Sequence, residues 1–156
     1  MKVREFQTED MPQLVHLMSQ LGYPTSLEKL ESRMKNIQSQ SSYHTLVAVL
    51  NNKIVGMAGL CHNLFYEYDS GYVRIVAFIV DIDHRRKGIG EKLMREAEKW
   101  AIKQEATHIM LNSGNREERK AAHKFYINMG YTDKSTGFTK SLEDKHIFKA
   151  IRDLDV

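Results

Sequence analysis

The spacing of apolar residues along this chain changes between two periods, which predicts a mixture of helices and strands. Apolar residues three or four positions apart mark helices with one buried face. These helices are predicted after Thr8, after Ser26, from near Gly90 to about Lys103, and over roughly Glu117–Met129. Runs rich in β-branched and aromatic residues predict short strands. The strands are predicted over Val3–Phe6, Thr45–Leu50, Lys53–Cys61, Tyr72–Val80, Thr107–Leu111, Tyr131–Thr132 and Thr136–Leu142.

In chain order these elements read β-α-α-β-β-β-α-β-α-β-β, which favours an α/β (α+β) fold. Asn51-Asn52 is a good hairpin turn, so the strands around it are expected to pair antiparallel. We therefore expect a single mixed, mostly antiparallel, twisted sheet of about seven strands flanked by helices. One domain is predicted over residues 1–142, with residues 143–156 as an amphipathic C-terminal extension of the same domain.

Composition sets broad limits on the partners of the protein. Among 156 residues, 23 Lys and Arg stand against 20 Asp and Glu, and so balanced a surface does not favour nucleic acid. Charged residues follow Met1, where a signal peptide needs an apolar stretch. No apolar run reaches the roughly 20 residues of a membrane span. The single cysteine, Cys61, fits a reducing compartment. We therefore expect a cytoplasmic protein with no membrane contact.

The segment between the strand ending at Val80 and the helix beginning near Gly90 predicts an anion site. Three consecutive cations, Arg85 to Lys87, are followed there by Gly88-Ile89-Gly90. Glycines let the backbone approach a phosphate closely, and the N–H groups of the first helical turn point at it. The alternative is a solvated run of charges. The junction of strand, glycines and helix favours a diphosphate site.

Arg85-x-x-Gly88-x-Gly90 resembles the signature of the GCN5-related N-acetyltransferase (GNAT) superfamily, and the order of elements resembles the GNAT fold over roughly Val3–Leu142. This resemblance implies that acetyl-CoA is the co-substrate, with its diphosphate on the loop from Arg85 to Glu91. It also implies that the pantetheine arm pairs with the fourth strand like an added strand. The cofactor-binding residues so implied are Phe78, Ile79, Val80, Arg85, Arg86, Lys87, Gly88, Ile89, Gly90, Glu91 and Asn115.

A second hallmark of the family is a tyrosine on the last long helix, which is Tyr126 here. The resemblance implies that Tyr126 is the catalytic residue and gives a proton to the departing thiolate. A phenol, with a pKa of about 10, is protonated at neutral pH. Two positions depart from the family pattern. Arg119 replaces a frequent asparagine, so we expect Asn112 or Asn115 to contact the pantetheine. Arg74 replaces the glutamate that some branches use as a base.

The sequence leaves the general base open. The candidates are His62, Tyr66, Glu67, Tyr68, Asp69, His84 and His123. For each of them a surface or packing role is the alternative, and an ordered water could relay the proton instead. Cys61 and the histidines lack the spacing of metal ligands, so we expect no metal. A strand-end cysteine such as Cys61 is commonly a small buried hydrophobe.

The resemblance implies an enzyme that transfers an acetyl group from acetyl-CoA to a primary amine by direct attack in a ternary complex. A small-molecule amine is the expected acceptor. A protein N-terminus, a lysine, or a non-catalytic acyl-CoA-binding module are the alternatives. A nucleic-acid binder that uses Arg116, Arg119, Lys120 and Lys124 is opposed by Glu117 and Glu118. The apolar tail residues Ile147, Phe148 and Ile151 are expected to pack on this chain or on a second copy as a homodimer.

Overall fold

The structure, a computed structural model, describes residues 1–114, 119–143, 149 and 152–155. The chain divides into two compact units, Met1–Gly114 and Asn115–Val156. The first unit contains β1 (Lys2–Glu5), α1 (Met11–Leu21), α2 (Leu27–Gln38), β2 (Tyr43–Leu50), β3 (Lys53–Leu64), β4 (Gly71–Val80), α3 (Ile89–Lys103) and β5 (Ala106–Leu111). The second contains α4 (Lys120–Asn128). Ile147, Phe148 and Ile151, the predicted tail contacts, lie outside the described residues.

The strands of the first unit form one open sheet in the order β1-β2-β3-β4-β5. The pairs β1/β2, β2/β3 and β3/β4 are antiparallel, whereas β4/β5 is parallel. Parallel neighbours need a crossover connection, and α3 provides it. The prediction of a single mixed, mostly antiparallel sheet flanked by helices is therefore confirmed.

The prediction of about seven strands is wrong, because the sheet has five. The segments Tyr131–Thr132 and Thr136–Leu142 form no strand in the described part of the chain, so no strand follows α4 there. Apolar residues in this region are isolated, and Phe138 is 94% exposed. A lone two-stranded ribbon without a buried face is marginal in water. Residues that favour strands do not form a sheet here, because these segments have no apolar face to bury.

One core lies between the sheet and the helices α1 and α2. It consists of Phe6, Met11, Leu14, Leu17, Leu30, Met34, Val47, Ile54, Met57 and Ile79. Burying each of these side chains stabilises the fold by roughly 1.5–3 kcal/mol. The helix ends follow the sequence signals: Gly22, at φ 102°, ends α1, and Ser26 Oγ accepts the Lys29 N–H at 3.2 Å at the start of α2.

Helix α3 covers the other face of the sheet and begins where β4 ends. Its buried stripe of Ile89, Leu93, Ala97 and Ala101 keeps the spacing predicted from the sequence. A Cβ on Gly56 of β3 would lie 3.5 Å from Ile89 Cγ2, so the first turn of α3 lies close to the sheet. This contact fixes the helix N-terminus beside the end of β4.

The register between β3 and β4 shifts by one residue at Val76. Gly59 of β3 pairs with Ala77, yet the next β3 residue, Leu60, pairs with Ile75, so Val76 is the extra residue of a β-bulge. Consecutive residues of β3 point to opposite faces of the sheet. Ile75 and Ala77 therefore do the same, and only Ala77 contacts the α1–α2 core. The bulge thus changes which side chains of β4 face each helix layer.

Candidate active site

The C-terminal half of β4 extends beyond its parallel neighbour. The ladder between β4 and β5 ends at the pair Ile75 and Leu111, whereas β4 itself continues to Val80. On the other edge, β3 pairs with β4 as far as Val80. The ladder stops because β5 itself ends at Leu111, one residue before the bulge at Val76, so β4 runs on beyond the end of its parallel neighbour. An extended ligand can add to a sheet at such an edge through main-chain hydrogen bonds.

The three strand residues predicted to bind the co-substrate all lie in the part of β4 beyond the end of β5. Ile79 is 7% exposed and its side chain belongs to the α1–α2 core, so it would act through its backbone. Phe78 and Val80 are half-buried. The Val80 carbonyl accepts a hydrogen bond from Arg85 Nε at 3.2 Å. Arg85 thereby closes the turn that follows the strand.

The loop from Asp81 to Gly88 ends in a helix start with exposed backbone donors. Arg86 and Gly88 both have left-handed φ values, 62° and 79°. Nothing lies within 4 Å of a Cβ placed on Gly88, so the backbone angle is the reason for a glycine there. The first backbone bond within α3 runs from the Lys92 N–H to the Gly88 carbonyl at 3.1 Å. The N–H groups of residues 88–91 precede this ladder and are available to an acceptor.

The charges around this helix start favour an anion. Arg85, Arg86 and Lys87 are exposed and form no ion pair in the described part of the chain. The N-terminal end of α3 adds the partial positive charge of a helix dipole. Unpaired cations and free amides at one loop are the features that bind a phosphate group. The cofactor-binding role of Gly88, Ile89, Gly90, Glu91 and the three cations stays a prediction.

The beginning of the loop is attached to α1 through Gln20 and Asp81, a contact that sequence reasoning missed. Gln20 Oε1 accepts the Ile82 N–H at 2.9 Å, and Gln20 Nε2 donates to Asp81 Oδ1 at 3.3 Å. Asp81 Oδ1 also accepts the Asp83 N–H at 3.0 Å. The paired acids Asp81 and Asp83 before the cations hint at a turn, but no local signal identifies a partner 61 positions away.

Asp81 remains ionised although it is 8% exposed. Burial alone would raise its pKa. The Asp83 N–H, the Gln20 amide and the nearby His84 and His16 outweigh burial, so the pKa of Asp81 lies below its ordinary value. His84 Nδ1 and His16 Nε2 lie 3.7 Å and 3.8 Å from Asp81 Oδ2.

Tyr126, the predicted acid, lies on α4 in the second unit and is 9% exposed. Burial raises the pKa of its hydroxyl above the ordinary value of a phenol, and the charge of Arg119 lowers it by less. Its ring contacts Phe125 and Tyr131 with centroids 5.5 Å and 6.3 Å away. Tyr126 is therefore neutral and protonated at physiological pH. Asn115 lies outside the described residues.

Most of the predicted base candidates lie far along β4 from the loop. His62 and residues 66–69 occupy the β3–β4 hairpin, before Gly71, and β4 spans roughly 30 Å from there to Val80. Tyr66 is fully exposed, and Phe65 packs on Tyr68, Tyr72 and His108. The His62 ring covers Gly71, where a Cβ would meet Nε2 at 2.5 Å. The Phe65 ring contacts and the His62 contact with Gly71 are packing contacts at the hairpin.

The other two histidine candidates are closer to functional residues along the chain. His84 lies in the loop beside Asp81, and His123 lies on α4, three residues before Tyr126. Cys61 is buried at 9% exposure, with Sγ 3.9 Å from Asn63 Oδ1. Among the described residues, no three His, Cys, Asp or Glu side chains are arranged to hold a metal ion. None of the described helices has the length and apolar character that a membrane span requires.

Known proteins resemble this chain over most of its length. A family model described as the Acetyltransferase (GNAT) family matches residues 5–131. A GNAT family acetyltransferase from Staphylococcus aureus is 35% identical, with 90% of this chain and 98% of that chain covered and a TM-score of 0.80. No curated protein matches the sequence.

Two more distant structures share the fold. Glucosamine-6-phosphate N-acetyltransferase from Arabidopsis thaliana has a TM-score of 0.77 at 20% identity, with 91% of this chain and 98% of that chain covered. An aminoglycoside acetyltransferase from an uncultured soil metagenomic sample, solved with sisomicin, has a TM-score of 0.74 at 20% identity, with 91% and 96% covered. The family model and the 35% identical relative together settle the classification. The chain belongs to the GNAT acetyltransferase family.

Proposed function

We propose that this protein is an N-acetyltransferase that transfers an acetyl group from acetyl-CoA to a primary amine in a ternary complex. The observation that carries the proposal is the loop between β4 and α3. There, the backbone N–H groups of residues 88–91, which precede the α3 ladder, and three cations without an ion pair, Arg85 to Lys87, follow the part of β4 that runs beyond the end of β5. Membership of the GNAT family supports acetyl-CoA as the co-substrate.

The residues of this loop suit the charged part of acetyl-CoA. In the proposal, the N–H groups of Gly88 to Glu91 and the side chains of Arg86 and Lys87 hold the diphosphate. Backbone groups of residues 78–80 hold the pantetheine arm, and Asn115 gives it an additional contact. Binding energy at the distant diphosphate positions the thioester for reaction. Acetyl-CoA supplies the acetyl group as an activated thioester.

The chemical step needs a proton donor at the sulfur and a way for the amine to lose a proton. The amine nitrogen forms a bond to the acetyl carbon, and the carbon–sulfur bond breaks. Tyr126 gives its hydroxyl proton to the leaving sulfur, and strand N–H groups polarise the carbonyl. Burial raises the pKa of the Tyr126 hydroxyl, which therefore carries its proton at neutral pH. The surplus proton of the amine leaves to water, directly or through a relay.

A small-molecule amine is the proposed acceptor. Structures that share the fold include an aminoglycoside acetyltransferase and a glucosamine-6-phosphate N-acetyltransferase. The names of both proteins point to small amino compounds. A lysine or a protein N-terminus is the alternative within the same chemistry, and an acyl-CoA-binding module without turnover is the alternative outside it.

A panel of amines separates these alternatives. Release of free thiol from acetyl-CoA would be followed with aminoglycosides, amino sugars, polyamines, amino acids and lysine-containing peptides. We expect turnover with at least one class of small amine and none with peptides. Turnover with peptides alone would replace the proposed acceptor. CoA binding without turnover on any amine would favour the module instead of the enzyme.

A further inference from the structure

The beginning of the loop from Asp81 to Gly88 is fixed to α1 as well as to the neighbouring strand β3. Gln20, in the last turn of α1, uses both ends of its amide: Oε1 accepts the Ile82 N–H at 2.9 Å, and Nε2 donates to Asp81 Oδ1 at 3.3 Å. The same Nε2 lies 2.8 Å from His16 Nε2, one turn earlier on α1. One side chain thus holds a backbone donor and a buried carboxylate of the loop at once.

The Asp81 turn has its own connections to the sheet. The Asp81 N–H donates to the Val55 carbonyl at 2.8 Å, and the Asp81 carbonyl accepts the His84 N–H at 2.9 Å. Only residues 85–88 separate this turn from α3, whose first residue, Ile89, is buried against the sheet. The loop is therefore held at both ends, by Gln20 and Asp81 at one and by the α3 stripe at the other.

We propose that Gln20 is a positioning residue, which holds residues 82–88 in the geometry that binds the diphosphate of acetyl-CoA. This inference rests on the proposed function. Gln20 itself does not need to touch the ligand. When a loop is already ordered in its binding geometry, less conformational freedom is lost when the ligand arrives. Without the Gln20 amide, the Ile82 N–H loses its acceptor and Asp81 has one donor fewer. Ligand binding must then supply part of the free energy that orders the loop.

The alternative explanation is that Gln20 contributes only to stability, and Gln13 provides the matched control. Gln13 lies on the same helix, and its Oε1 accepts the Ile54 N–H of β3 at 2.8 Å. Gln13→Ala therefore removes one side-chain bond from α1 to β3, whereas Gln20→Ala removes two bonds from α1 to the loop. Both variants should lower the melting temperature, so a fall in stability alone does not distinguish them.

The test is calorimetric titration of CoA into the wild-type protein and both variants, with steady-state kinetics alongside. We expect Gln20→Ala to weaken CoA binding about tenfold, the equivalent of one lost hydrogen bond. The KM for acetyl-CoA should rise in parallel, while kcat and the KM for the amine change little. Gln13→Ala should bind CoA as the wild type does. Equal CoA affinity for Gln20→Ala and the wild type would overturn the positioning role.

Gln20→Glu gives a readout that a structural role would not move. The glutamate keeps an acceptor for the Ile82 N–H, but its negative charge repels the Asp81 carboxylate. The other titratable groups that face the Asp81 carboxylate are His84 and His16. Protonation at lower pH restores a donor to Asp81. CoA affinity of Gln20→Glu, relative to the wild type, should therefore recover as the pH falls from about 7 to about 5. If the CoA affinity of Gln20→Glu, divided by that of the wild type, is the same at every pH, the inference is contradicted. If the wild type itself fails to bind CoA, the proposed function is contradicted instead.

Discussion

Tyr126 illustrates how the environment of one residue determines what it can do. A phenol in water already keeps its proton at neutral pH, and burial in this protein raises the pKa of Tyr126 further. Arg119, at the start of α4, lowers that pKa to a smaller degree. The hydroxyl therefore keeps its proton across the physiological range and is a poor base.

Replacing Tyr126 by Phe should lower kcat by about a hundredfold, near the lower end of general acid catalysis. The affinity for acetyl-CoA should change little, because the ring remains and only the hydroxyl is lost. Tyr131→Phe, which removes a hydroxyl from the ring that contacts Tyr126, is the control and should retain activity. An equal loss of acetyl-CoA affinity in Tyr126→Phe would remove the assignment as acid.

His44 makes the stability of the protein depend on pH near neutrality. Its ring stacks on Trp100 with centroids 4.8 Å apart and planes 2° apart. Burial lowers the pKa of His44 below 6.5, and the positive charge of Lys103 lowers it further. The negative charge of Glu5, whose Oε1 lies 3.7 Å from His44 Nδ1, raises it by less than burial lowers it. The unfolded chain therefore binds a proton at a pH where the folded protein does not. The free energy of unfolding should fall as the pH drops below about 6.5 and level off below the folded pKa.

Urea unfolding between about pH 5 and 8 tests this prediction with His44→Phe. Phenylalanine preserves the stacking surface but cannot take a proton. The unfolding free energy of the wild type, minus that of the variant, should therefore increase as the pH rises. If this difference stays constant from about pH 5 to 8, His44 has the same pKa in the folded and unfolded protein, and the prediction is wrong.

At the scale of single elements, the start of α3 depends on the left-handed backbone of Gly88. An alanine there should cost about 1 kcal/mol of stability, since an L-residue disfavours this conformation. No neighbour lies within 4 Å of the added Cβ, and the same holds for Gly22, at φ 102°. We expect Gly88→Ala and Gly22→Ala to lower stability alike, but only Gly88→Ala to weaken CoA binding. Similar CoA affinities for the two variants would argue against a ligand at this loop.

The junction of β1 and α1 depends on one charged pair. Arg4 Nη1 and Nη2 lie 2.7 Å and 2.8 Å from the two Asp10 oxygens, and Asp10 Oδ2 accepts the Gln7 N–H at 2.8 Å. The Arg4 bond lowers the pKa of Asp10, burial opposes it, and the Gln7 N–H adds to the lowering. This stabilisation is therefore present above about pH 3.9 and is lost as the pH falls through the lowered pKa.

Asp10→Asn should destabilise the protein by about 1–3 kcal/mol at pH 7, as expected for charge-assisted hydrogen bonds. As the pH falls through the lowered pKa of Asp10, the wild-type carboxyl takes up its proton, so the difference between the two proteins should shrink. Equilibrium urea unfolding at pH 7 and at a series of decreasing pH values measures this. Glu9→Gln, in the same turn, is the control and should behave as the wild type. A difference that is undiminished at low pH would contradict the assigned charge.

The helices and strands that the sequence predicts well are those with a buried face. The α3 stripe from Ile89 to Ala101 and the hairpin at Asn51-Asn52 agree with the structure because local pattern and tertiary burial favour the same conformation. Residues 131–142 have the composition of strands but no buried face, so the prediction failed there. The Val76 bulge depends on how β3 and β4 pair, which no local pattern records.

For the candidate site, the sequence predicts the loop itself but not what supports it. Arg85, Gly88 and Gly90 stand within six consecutive positions, so their chemistry is visible in the sequence. Gln20 and Asp81 meet only because α1 packs beside the end of β4, with 61 positions between them. Likewise, the hairpin residues 66–69 precede β4 closely in sequence but lie at its opposite end from the loop.

At the scale of the whole molecule, the account depends on one sheet that presents a strand edge and a helix N-terminus together. β4 supplies the edge beyond the end of β5, and α3 supplies the N–H groups that precede its ladder. In the proposed function, these two features together hold acetyl-CoA.

The most direct measurement is the yield of free thiol and of acetylated amine in the same reaction with acetyl-CoA. The account predicts that thiol release accelerates with added amine, and that the two products appear in equal amounts. Arg86→Ala combined with Lys87→Ala should raise the KM for acetyl-CoA in this assay. Thiol release that no amine accelerates, in a protein that still binds CoA, would contradict the central claim.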